Sequence, residues 1–288
     1  MNPHHSFFYQ KNISDTVVVS AEHVRKIYPQ RTVLTDARLN VHRGEALALV
    51  GENGCGKSTM LRLLCGITRP DSGTVTMAPG IRTAFIPDRF EKINMTTSRY
   101  IEYMRDLENA DVKTVEHYCE MFSMTAYLDI PLNYLSKGML QKVAVIQALL
   151  IEHDLLLMDE PLSGQDAVSQ LRFAGEIRRR KQDGMAVIMA CHEPFLIDAL
   201  ADRVLQINDG VLIDGTDYLT QSAGPRCVIL VMPGDANINS LVNNVSLNAD
   251  ISTCGQLSRI DADTSLGPAL LSLLLEHGIH IVKYEERQ

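Results

Sequence analysis

The sequence has 288 residues, 45% of them hydrophobic, which is enough for one large domain, or a large and a small one, with a sizeable core. Its formal net charge of −8 argues against bulk binding of nucleic acid, and its six scattered cysteines argue against a disulfide framework or a zinc site. No apolar run approaches the roughly 20 residues that cross a bilayer, and residues 1–15 lack the pattern of a signal peptide. We therefore expect a chain with reduced thiols in the cytoplasm, whose contact with a membrane depends on another protein.

The order of predicted elements indicates a main domain over residues 17–217. Residues 1–16 are polar and are predicted to form a loosely held extension. Several short strands precede the first helix, which suggests an antiparallel β element attached to a parallel core. Apolar residues then recur at helical spacing, so an inserted helical subdomain is expected at about residues 95–150. Residues 218–288 change character and predict a small α+β appendage with one leucine-rich helix.

One predicted helix, beginning near residue 169, ends in a strongly basic run at residues 178–181. Because cations are favoured near the C-terminus of a helix, we interpret this run as a solvated last turn. This interpretation gives the run no part in function.

A glycine-rich segment follows an apolar strand predicted at residues 46–50. Its residues are Gly51, Glu52, Asn53, Gly54, Cys55, Gly56, Lys57, Ser58 and Thr59. A strand, such a loop and a helix in this order are typical of a P-loop, whose backbone N–H groups surround phosphate oxygens. Lys57 would place its charge on the β- and γ-phosphates, and Ser58 would offer its hydroxyl to Mg²⁺. The segment therefore predicts a nucleotide site, against the alternative of a simple glycine-rich turn.

Cys55, inside this loop, has two interpretations. It can be a small apolar filler, as free cysteine often is. It can also be a thiol whose pKa is lowered by the N-terminus of the following helix. The sequence leaves both open.

A second apolar strand, predicted at residues 154–159, ends in two acidic residues. Asp159 lies at its carboxyl end, where ligands collect in α/β proteins and where a carboxylate could hold Mg²⁺. Glu160 comes one residue later and is placed to polarise an attacking water molecule. The alternative, an acidic turn without function, is disfavoured by the P-loop upstream.

Three further motifs follow the P-loop in a fixed order. Residues 135–139 read Leu-Ser-Lys-Gly-Met, residues 161–166 read Pro-Leu-Ser-Gly-Gln-Asp, and His192 follows the next core strand. Together with the acidic strand end, this set resembles the ATP-binding-cassette (ABC) transporter ATPases over about residues 17–217. The resemblance identifies the three motifs as the signature motif, the D-loop and the switch histidine. It also identifies Tyr28 as the aromatic residue that stacks on adenine.

The resemblance implies an α/β fold: a P-loop NTPase core with an antiparallel β subdomain and an inserted α-helical subdomain, followed here by the small C-terminal α+β appendage. It implies ATP and Mg²⁺ as cofactors and ATP hydrolysis as the activity, with Lys57, Glu160 and His192 as catalytic residues. The expected partner is a second ABC ATPase subunit, in the simplest case a second copy of this chain. Two chains then enclose two ATP molecules, because each site is completed by the other chain's signature helix.

The residues that the resemblance assigns to the nucleotide therefore extend beyond the P-loop. From the signature motif they include Ser136 and Gly138, and from the D-loop they include Asp166. Residue 88 is where the family has the glutamine of its Q-loop, and this chain has Asp88. An aspartate could still ligate Mg²⁺ directly or through water, but when ionised it cannot donate a hydrogen bond as an amide does. We expect Asp88 to be a third metal-site residue and to alter the coupling to the membrane subunits.

The signature motif departs from the family pattern too, because Lys137 replaces a glycine and Met139 replaces a glutamine. This form resembles bacterial exporters whose membrane subunits are separate polypeptides. The sequence therefore predicts an exporter ATPase for peptides, antibiotic-like or other toxic compounds. It is expected on the cytoplasmic, inner face of the cell membrane, bound to integral membrane permease subunits.

Three other functions were weighed against export. A soluble cassette ATPase acting on nucleic acid or the ribosome usually carries two cassettes, long insertions or basic tails, which this acidic chain lacks; nucleic acid is not an expected partner. An importer ATPase would share every motif above and would differ in its neighbouring genes. A binding module without hydrolysis is disfavoured because Lys57, Asp159, Glu160 and His192 are all present.

Overall fold

The structure is a computed structural model, and the residues that it describes are 17–215, 226–232, 237–243, 249–254 and 257–287. The predicted extension over residues 1–16 and the predicted domain boundary near residue 217 lie outside them. The strands in chain order are β1 (Val17–Tyr28), β2 (Arg31–His42), β3 (Ala46–Val50), β4 (Ser72–Met77), β5 (Thr83–Ile86), β6 (Leu155–Asp159), β7 (Ala186–Ala190), β8 (Arg203–Asn208), β9 (Val211–Asp214), β10 (Arg226–Met232), β11 (Asp250–Cys254), β12 (Leu257–Asp263) and β13 (His280–Arg287). The α-helices are α1 (Lys57–Leu64), α2 (Thr97–Glu108), α3 (Val112–Met121), α4 (Lys137–Leu149), α5 (Ala167–Gln182), α6 (Pro194–Leu200), α7 (Ile238–Asn243) and α8 (Gly267–Glu276).

A three-stranded antiparallel sheet, in the order β2-β1-β4, opens the main domain. β1 and β2 are each continuous over 12 residues, where the sequence suggested several shorter strands. The pairing of β1 with β2 shifts register more than once, for example between Ala21 and Val24. Each shift interrupts the alternation of inward and outward side chains, and this explains why the pattern reads as separate pieces.

The centre of the domain is a sheet in the order β5-β6-β7-β3-β8-β9, parallel except for the edge strand β9. Every residue of β3, β6 and β7 is buried, as expected for parallel strands that are covered on both faces. These three strands are neighbours, so their carboxyl ends meet at one edge of the sheet. The P-loop follows β3, Asp159 is the last residue of β6 and His192 comes after β7, so all three are brought to the same place.

The region predicted as a helical subdomain contains α2, α3 and α4. Their apolar residues, among them Ile101, Cys119 and Val143, belong to one core that also includes Ile86 and Met158 of the central sheet. Helix α4 is buried along most of its length because it lies between the other helices and the sheet. Its first turn carries the signature motif, so this motif is anchored in the shared core.

The appendage contains a second antiparallel sheet, in the order β11-β12-β10-β13, with α8 packed on it. Leu270 and Leu274 of α8 share an apolar cluster with Leu171 of α5. Beside this cluster, Arg172 Nη2 donates a hydrogen bond to Glu276 Oε2 at 2.8 Å. The appendage therefore rests on the helix that follows the D-loop. The α/β class predicted from the sequence is confirmed, and none of the described helices has both the length and the apolar composition to cross a membrane.

The basic end of α5 is not the solvated turn that the sequence suggested. Arg178 is 8% exposed and Arg180 is 6% exposed. Arg180 Nε donates to Glu176 Oε1 at 2.9 Å, and its Nη2 donates to the hydroxyl of Tyr118 at 2.8 Å. The same hydroxyl donates to Glu176 Oε1 at 2.8 Å, so Tyr118 of α3 is joined to α5 by a buried network. Burial alone would raise the pKa of Glu176, but hydrogen bonds from Arg179, Arg180 and Tyr118 lower it from 4.5 to about 2.

We expect Glu176→Gln to lower the free energy of unfolding at pH 7 by about 2–3 kcal/mol, because it leaves a buried guanidinium without its carboxylate. A carboxylate with a lowered pKa stabilises the fold above its unfolded pKa and ceases to do so as the pH falls through its folded pKa. The difference in the free energy of unfolding between wild type and variant should therefore shrink as the pH falls from about 4.5 towards 2. Denaturant unfolding at several pH values measures this difference. Asp183→Asn is the control, because Asp183 also pairs with Arg179 but is 68% exposed, so its loss should change little.

Candidate nucleotide site

The P-loop connects β3 to α1 through backbone conformations that glycine allows. Gly51 has a φ of 138° and Gly56 a φ of 125°, both outside the range that other residues favour. A Cβ atom on Gly56 would lie 2.8 Å from Val33 Cγ1, and one on Gly51 would lie 2.9 Å from the carbonyl oxygen of Ile207. The loop is therefore packed tightly between β2 and the end of β8, and its curvature is fixed.

Lys57 and Ser58 begin α1 at the inner side of this loop. Lys57 is buried, and its Nζ donates to the carbonyl oxygens of Gly51 at 2.6 Å and Glu52 at 3.1 Å. Ser58 Oγ donates to Asp159 Oδ1 at 3.0 Å, which joins the P-loop to the end of β6. Burial raises the pKa of Asp159, the hydrogen bond from Ser58 opposes this, and the charge of Asp88 adds to it.

The hydroxyl of Ser58 and the carboxylate of Asp159, which are in contact, are hard oxygen donors of the kind that suits Mg²⁺. The carboxylate of Asp88, whose charge acts on Asp159, is a third such donor. The buried ammonium of Lys57 and the N-terminus of α1 provide positive charge for phosphate beside them. Ser58, Asp159 and Lys57 therefore fit a nucleotide bound with Mg²⁺.

Glu160 follows Asp159 in the chain, and its side chain faces that of His192. Their side chains approach to 3.4 Å, between Glu160 Oε1 and His192 Nε2, and the same nitrogen lies 3.1 Å from Oδ1 of Asn53. Burial raises the pKa of Glu160 to about 7, and the charge of Glu193 adds to the effect. Burial, together with the charge of Lys57, lowers the pKa of His192. The arrangement gives a carboxylate that can accept a proton near neutral pH, next to an imidazole that touches the P-loop.

The backbone of Glu160 is in the left-handed region, with a φ of 48°. Its N–H donates to the carbonyl oxygen of Ala190 at 2.8 Å, at the end of β7. Such a conformation is uncommon for a residue other than glycine and persists only where its surroundings hold it. The neighbouring strand therefore fixes the direction in which the Glu160 side chain leaves β6.

Tyr28 lies at the tip of the β1–β2 hairpin, paired in register with Arg31. Arg31 Nη2 donates to the carbonyl oxygen of Gly54 at 2.7 Å, so the tip is attached to the P-loop. A cavity of about 430 Å³ lies beside this contact, between the P-loop, the start of β2 and the β8–β9 turn. Tyr28 is thus near the loop that it is expected to serve, and its stacking on adenine stays a prediction.

Cys55 packs against the apolar cluster beneath the P-loop. A Cβ atom on Gly51 would lie only 2.9 Å from its sulfur, which shows how closely the side chain fills the curve of the loop. This contact favours the interpretation of Cys55 as a filler. Thr59, the last P-loop residue, lies half-buried in the first turn of α1.

The signature motif begins α4, and Ser136 caps this helix by accepting a hydrogen bond from the N–H of Met139 at 3.3 Å. Gly138 touches the D-loop of the same chain, since a Cβ atom on Gly138 would overlap with the carbonyl oxygen of Gly164. The glycine is therefore required within the chain, whatever it contacts in a second copy.

Asp166, predicted as a nucleotide-binding residue, has partners within its own chain. It caps α5 by accepting from the N–H of Ser169 at 2.9 Å, and it pairs with Lys142 Nζ at 2.6 Å. Burial would raise its pKa, but Lys142 and Ser169 lower it to about 2. A role at the nucleotide stays a prediction, and the structure gives Asp166 a role in joining α5 to α4.

Two groups of predicted site residues thus emerge. The first lies at the edge of the sheet, where Ser58 contacts Asp159 and where His192 contacts both Asn53 and Glu160. Lys57 belongs to this group as the neighbour of Ser58 in the first turn of α1. Asp88, Gly138 and Asp166 form the second, around the first two turns of α4. Sequence reasoning does not connect Asp88 with Lys137, although opposite charges at two positions that both depart from the family pattern are a signal for such a pair.

Comparison with known proteins decides the family. A family model described as ABC transporter matches residues 34–163. The zinc import ATP-binding protein ZnuC of Yersinia pestis is 32% identical over 203 residues, covering 69% of this chain and 79% of that protein. The chain belongs to the ABC transporter ATPase family. The protein of the same name from Cereibacter sphaeroides is also 32% identical, over 210 residues, covering 72% of this chain and 85% of that protein.

Solved structures of ABC proteins share the fold. The ATP-binding subunit of an ABC transporter superposes with a TM-score of 0.62 at 23% identity, covering 71% of this chain and 92% of the other. A nucleotide-free ATP-binding cassette from an ABC transporter gives a TM-score of 0.58 at 16% identity, covering 72% and 95%. As a member of the ABC ATPase family, the chain is an ATPase that uses ATP with Mg²⁺. ABC ATPase subunits dimerise and work with membrane permease subunits.

The prediction of an exporter is wrong. The curated relatives described above are named as import proteins, and each is 32% identical to this chain, over 203 and 210 residues. The Lys-Gly-Met form of the signature motif therefore does not mark an exporter. It lies where α4 meets the D-loop of the same chain.

Proposed function

We propose that this chain is the ATPase subunit of an ABC importer, that its cargo is a metal ion of the zinc class, and that it works as a homodimer beneath separate permease subunits. The observation that carries the proposal is the 32% identity with zinc import ATP-binding proteins over about 70% of the chain. The match extends over more than 200 residues and so exceeds what a shared P-loop alone would give. The cargo path lies in the permease, and this chain supplies the energy.

In the proposed site, Lys57 and the N–H groups of the P-loop bind the phosphates, while Ser58 and Asp159 hold Mg²⁺. Glu160 accepts the proton of the attacking water, as its half-buried carboxylate with a pKa of about 7 allows. His192 keeps Glu160 in place through their 3.4 Å contact. The start of α4 in the second copy, at Ser136, completes the site, because a helix N-terminus binds anions.

Uptake of radioactive zinc tests the cargo. In a strain that lacks this gene, zinc uptake from zinc-depleted medium should fall severalfold. The wild-type gene should restore it and a Glu160→Gln gene should not. Manganese and iron uptake are the controls, and both should stay unchanged. Glu120→Gln, on the exposed face of α3, is the matched variant and should restore uptake fully. Unchanged zinc uptake in the deletion strain, or equal loss for all three metals, would contradict the proposal.

A further inference from the structure

The first two turns of α4 meet two loops of the site at once. Lys137 Nζ lies 3.3 Å from Asp88 Oδ1, in the segment after β5, and donates to Ser163 Oγ at 2.8 Å, in the D-loop. One ammonium group therefore contacts both loops. The two contacts use different hydrogens of the ammonium, which has three donors and no acceptor, so they do not compete.

The segment after β5 is attached to α4 at a second point. Gln141 Nε2 donates to the carbonyl oxygen of Pro87 at 2.9 Å, and Gln141 is 1% exposed. Residues four apart on a helix share one face, so Lys137 and Gln141 present a short polar row to this segment. This buried hydrogen bond holds the residue before Asp88 against α4, next to the contact between Asp88 and Lys137.

The D-loop is also held from two sides. Gly138 lies against the backbone of Gly164, and one turn later Lys142 pairs with Asp166. Ser163, just before these two contacts in the chain, is bound by Lys137. The D-loop is therefore in contact with the first two turns of α4 at Ser163, Gly164 and Asp166.

The charge of Asp88 also acts on the first group of site residues. It contributes, after burial, to the raised pKa values of Asp159 and Glu160. Arg89 also pairs with Asp88, at 3.7 Å, but its side chain is 88% exposed, against 56% for that of Lys137. Of these two described cations, Lys137 is the one that joins the Asp88 carboxylate to a helix of the core.

We propose that Lys137 is a positioning residue of the ATPase, which holds the loop of Asp88 and the loop of Ser163 on the first turn of α4 through one ammonium group. Asp88 and Lys137 act as a matched pair, each replacing an uncharged residue of the family pattern. The proposal depends on the ATPase activity of the chain and is independent of the cargo.

The test compares Lys137→Met, which keeps the length of the side chain, with Lys137→Arg, which keeps its charge. In the nucleotide-free protein, Lys137→Met should raise amide hydrogen exchange about fivefold in both residues 87–91 and residues 161–165, the order expected for one exposed ion pair. It should lower kcat by about the same factor and leave KM for ATP within about twofold, because the P-loop is untouched. Lys137→Arg should keep most of the wild-type behaviour.

Asp88→Asn should raise exchange in residues 87–91, and the double variant Asp88→Asn/Lys137→Met should be no worse than either single variant. Arg89→Met is the matched control, because it removes a cation beside Asp88 that does not belong to α4, and it should change neither loop. Unchanged exchange in Lys137→Met would overturn the proposal. An equal rise in exchange in Arg89→Met would also overturn it, and so would a Lys137→Arg variant that behaves like Lys137→Met. A double variant whose rise in exchange is the product of the two single rises would overturn it as well.

Discussion

Replacing Glu160 with glutamine is expected to reduce ATP hydrolysis by at least about 100-fold, the lower range for removal of a general base. ATP binding should persist, because the change leaves the P-loop, Ser58 and Asp159 as they are. An amide of the same shape can keep the contact with His192, but it cannot accept the proton of the attacking water. Phosphate release and equilibrium binding of ATP measure the two properties separately. Size-exclusion chromatography with ATP should show a dimer that persists, since its release depends on hydrolysis.

Glu193→Gln is the matched control for this experiment. Glu193 influences Glu160 through its charge, which helps to raise the pKa of that carboxyl. The variant should keep turnover within about tenfold of wild type and shift its pH dependence towards lower pH. Near-normal hydrolysis by the Glu160→Gln protein would show that another group accepts the proton. Loss of ATP binding would instead show that Glu160 supports the shape of the P-loop.

Gly138→Ala should lower turnover by at least about tenfold, with ATP affinity of the single chain nearly unchanged. At an ordinary helix position alanine is favoured over glycine by about 1 kcal/mol. At this position a Cβ atom would overlap with the backbone of Gly164, so the D-loop and the start of α4 must move apart. A misplacement of about 1 Å in a site that positions reacting groups can lower the rate about 100-fold, so a loss of turnover of at least about tenfold is expected. Steady-state kinetics and nucleotide binding check it.

Gly267→Ala is the control, because Gly267 is also in the first turn of a helix and is also crowded. Its neighbour is the side chain of Tyr284, which can move, whereas the neighbour of Gly138 is backbone. The Gly267→Ala variant should hydrolyse ATP at the wild-type rate. If Gly138→Ala were equally active, the contact between α4 and the D-loop would have no part in the reaction.

The grouping of the P-loop, Asp159 and His192 could be predicted from the sequence. Each follows an apolar strand, and parallel strands of one sheet deliver their carboxyl ends to one edge, so the order of motifs is sufficient. The antiparallel sheet and the inserted helices could be predicted as well, though not the continuity of β1 and β2 across their register shifts. Elements formed by neighbouring residues, and residues that meet because their strands share one edge of a sheet, can therefore be predicted from the sequence.

Contacts between distant segments could not be predicted. The basic run of α5 is compatible with a solvated helix end, and only the packing of α3 against α5 shows that Arg180 is enclosed with Glu176 and Tyr118. Asp88 and Lys137 each depart from the family pattern, but their pairing depends on how α4 lies over the segment after β5. The direction of transport could not be predicted either, because the motifs describe ATP chemistry that importers and exporters share.

The buried network of Tyr118, Glu176 and Arg180 has a mechanical consequence. The network fastens α3 of the helical subdomain to α5, at the end of α5 that is far from the D-loop. Breaking the network would expose the guanidinium of Arg180, from which water is now excluded. Arg180 also donates to the carbonyl oxygen of Leu149, so the last residue of α4 is held at the same place. The first turn of α4 is held at its other end, where Lys137 contacts Asp88 and Ser163. The helix that carries the signature motif is therefore fastened at both ends, so that the motif cannot shift without breaking contacts at one of them.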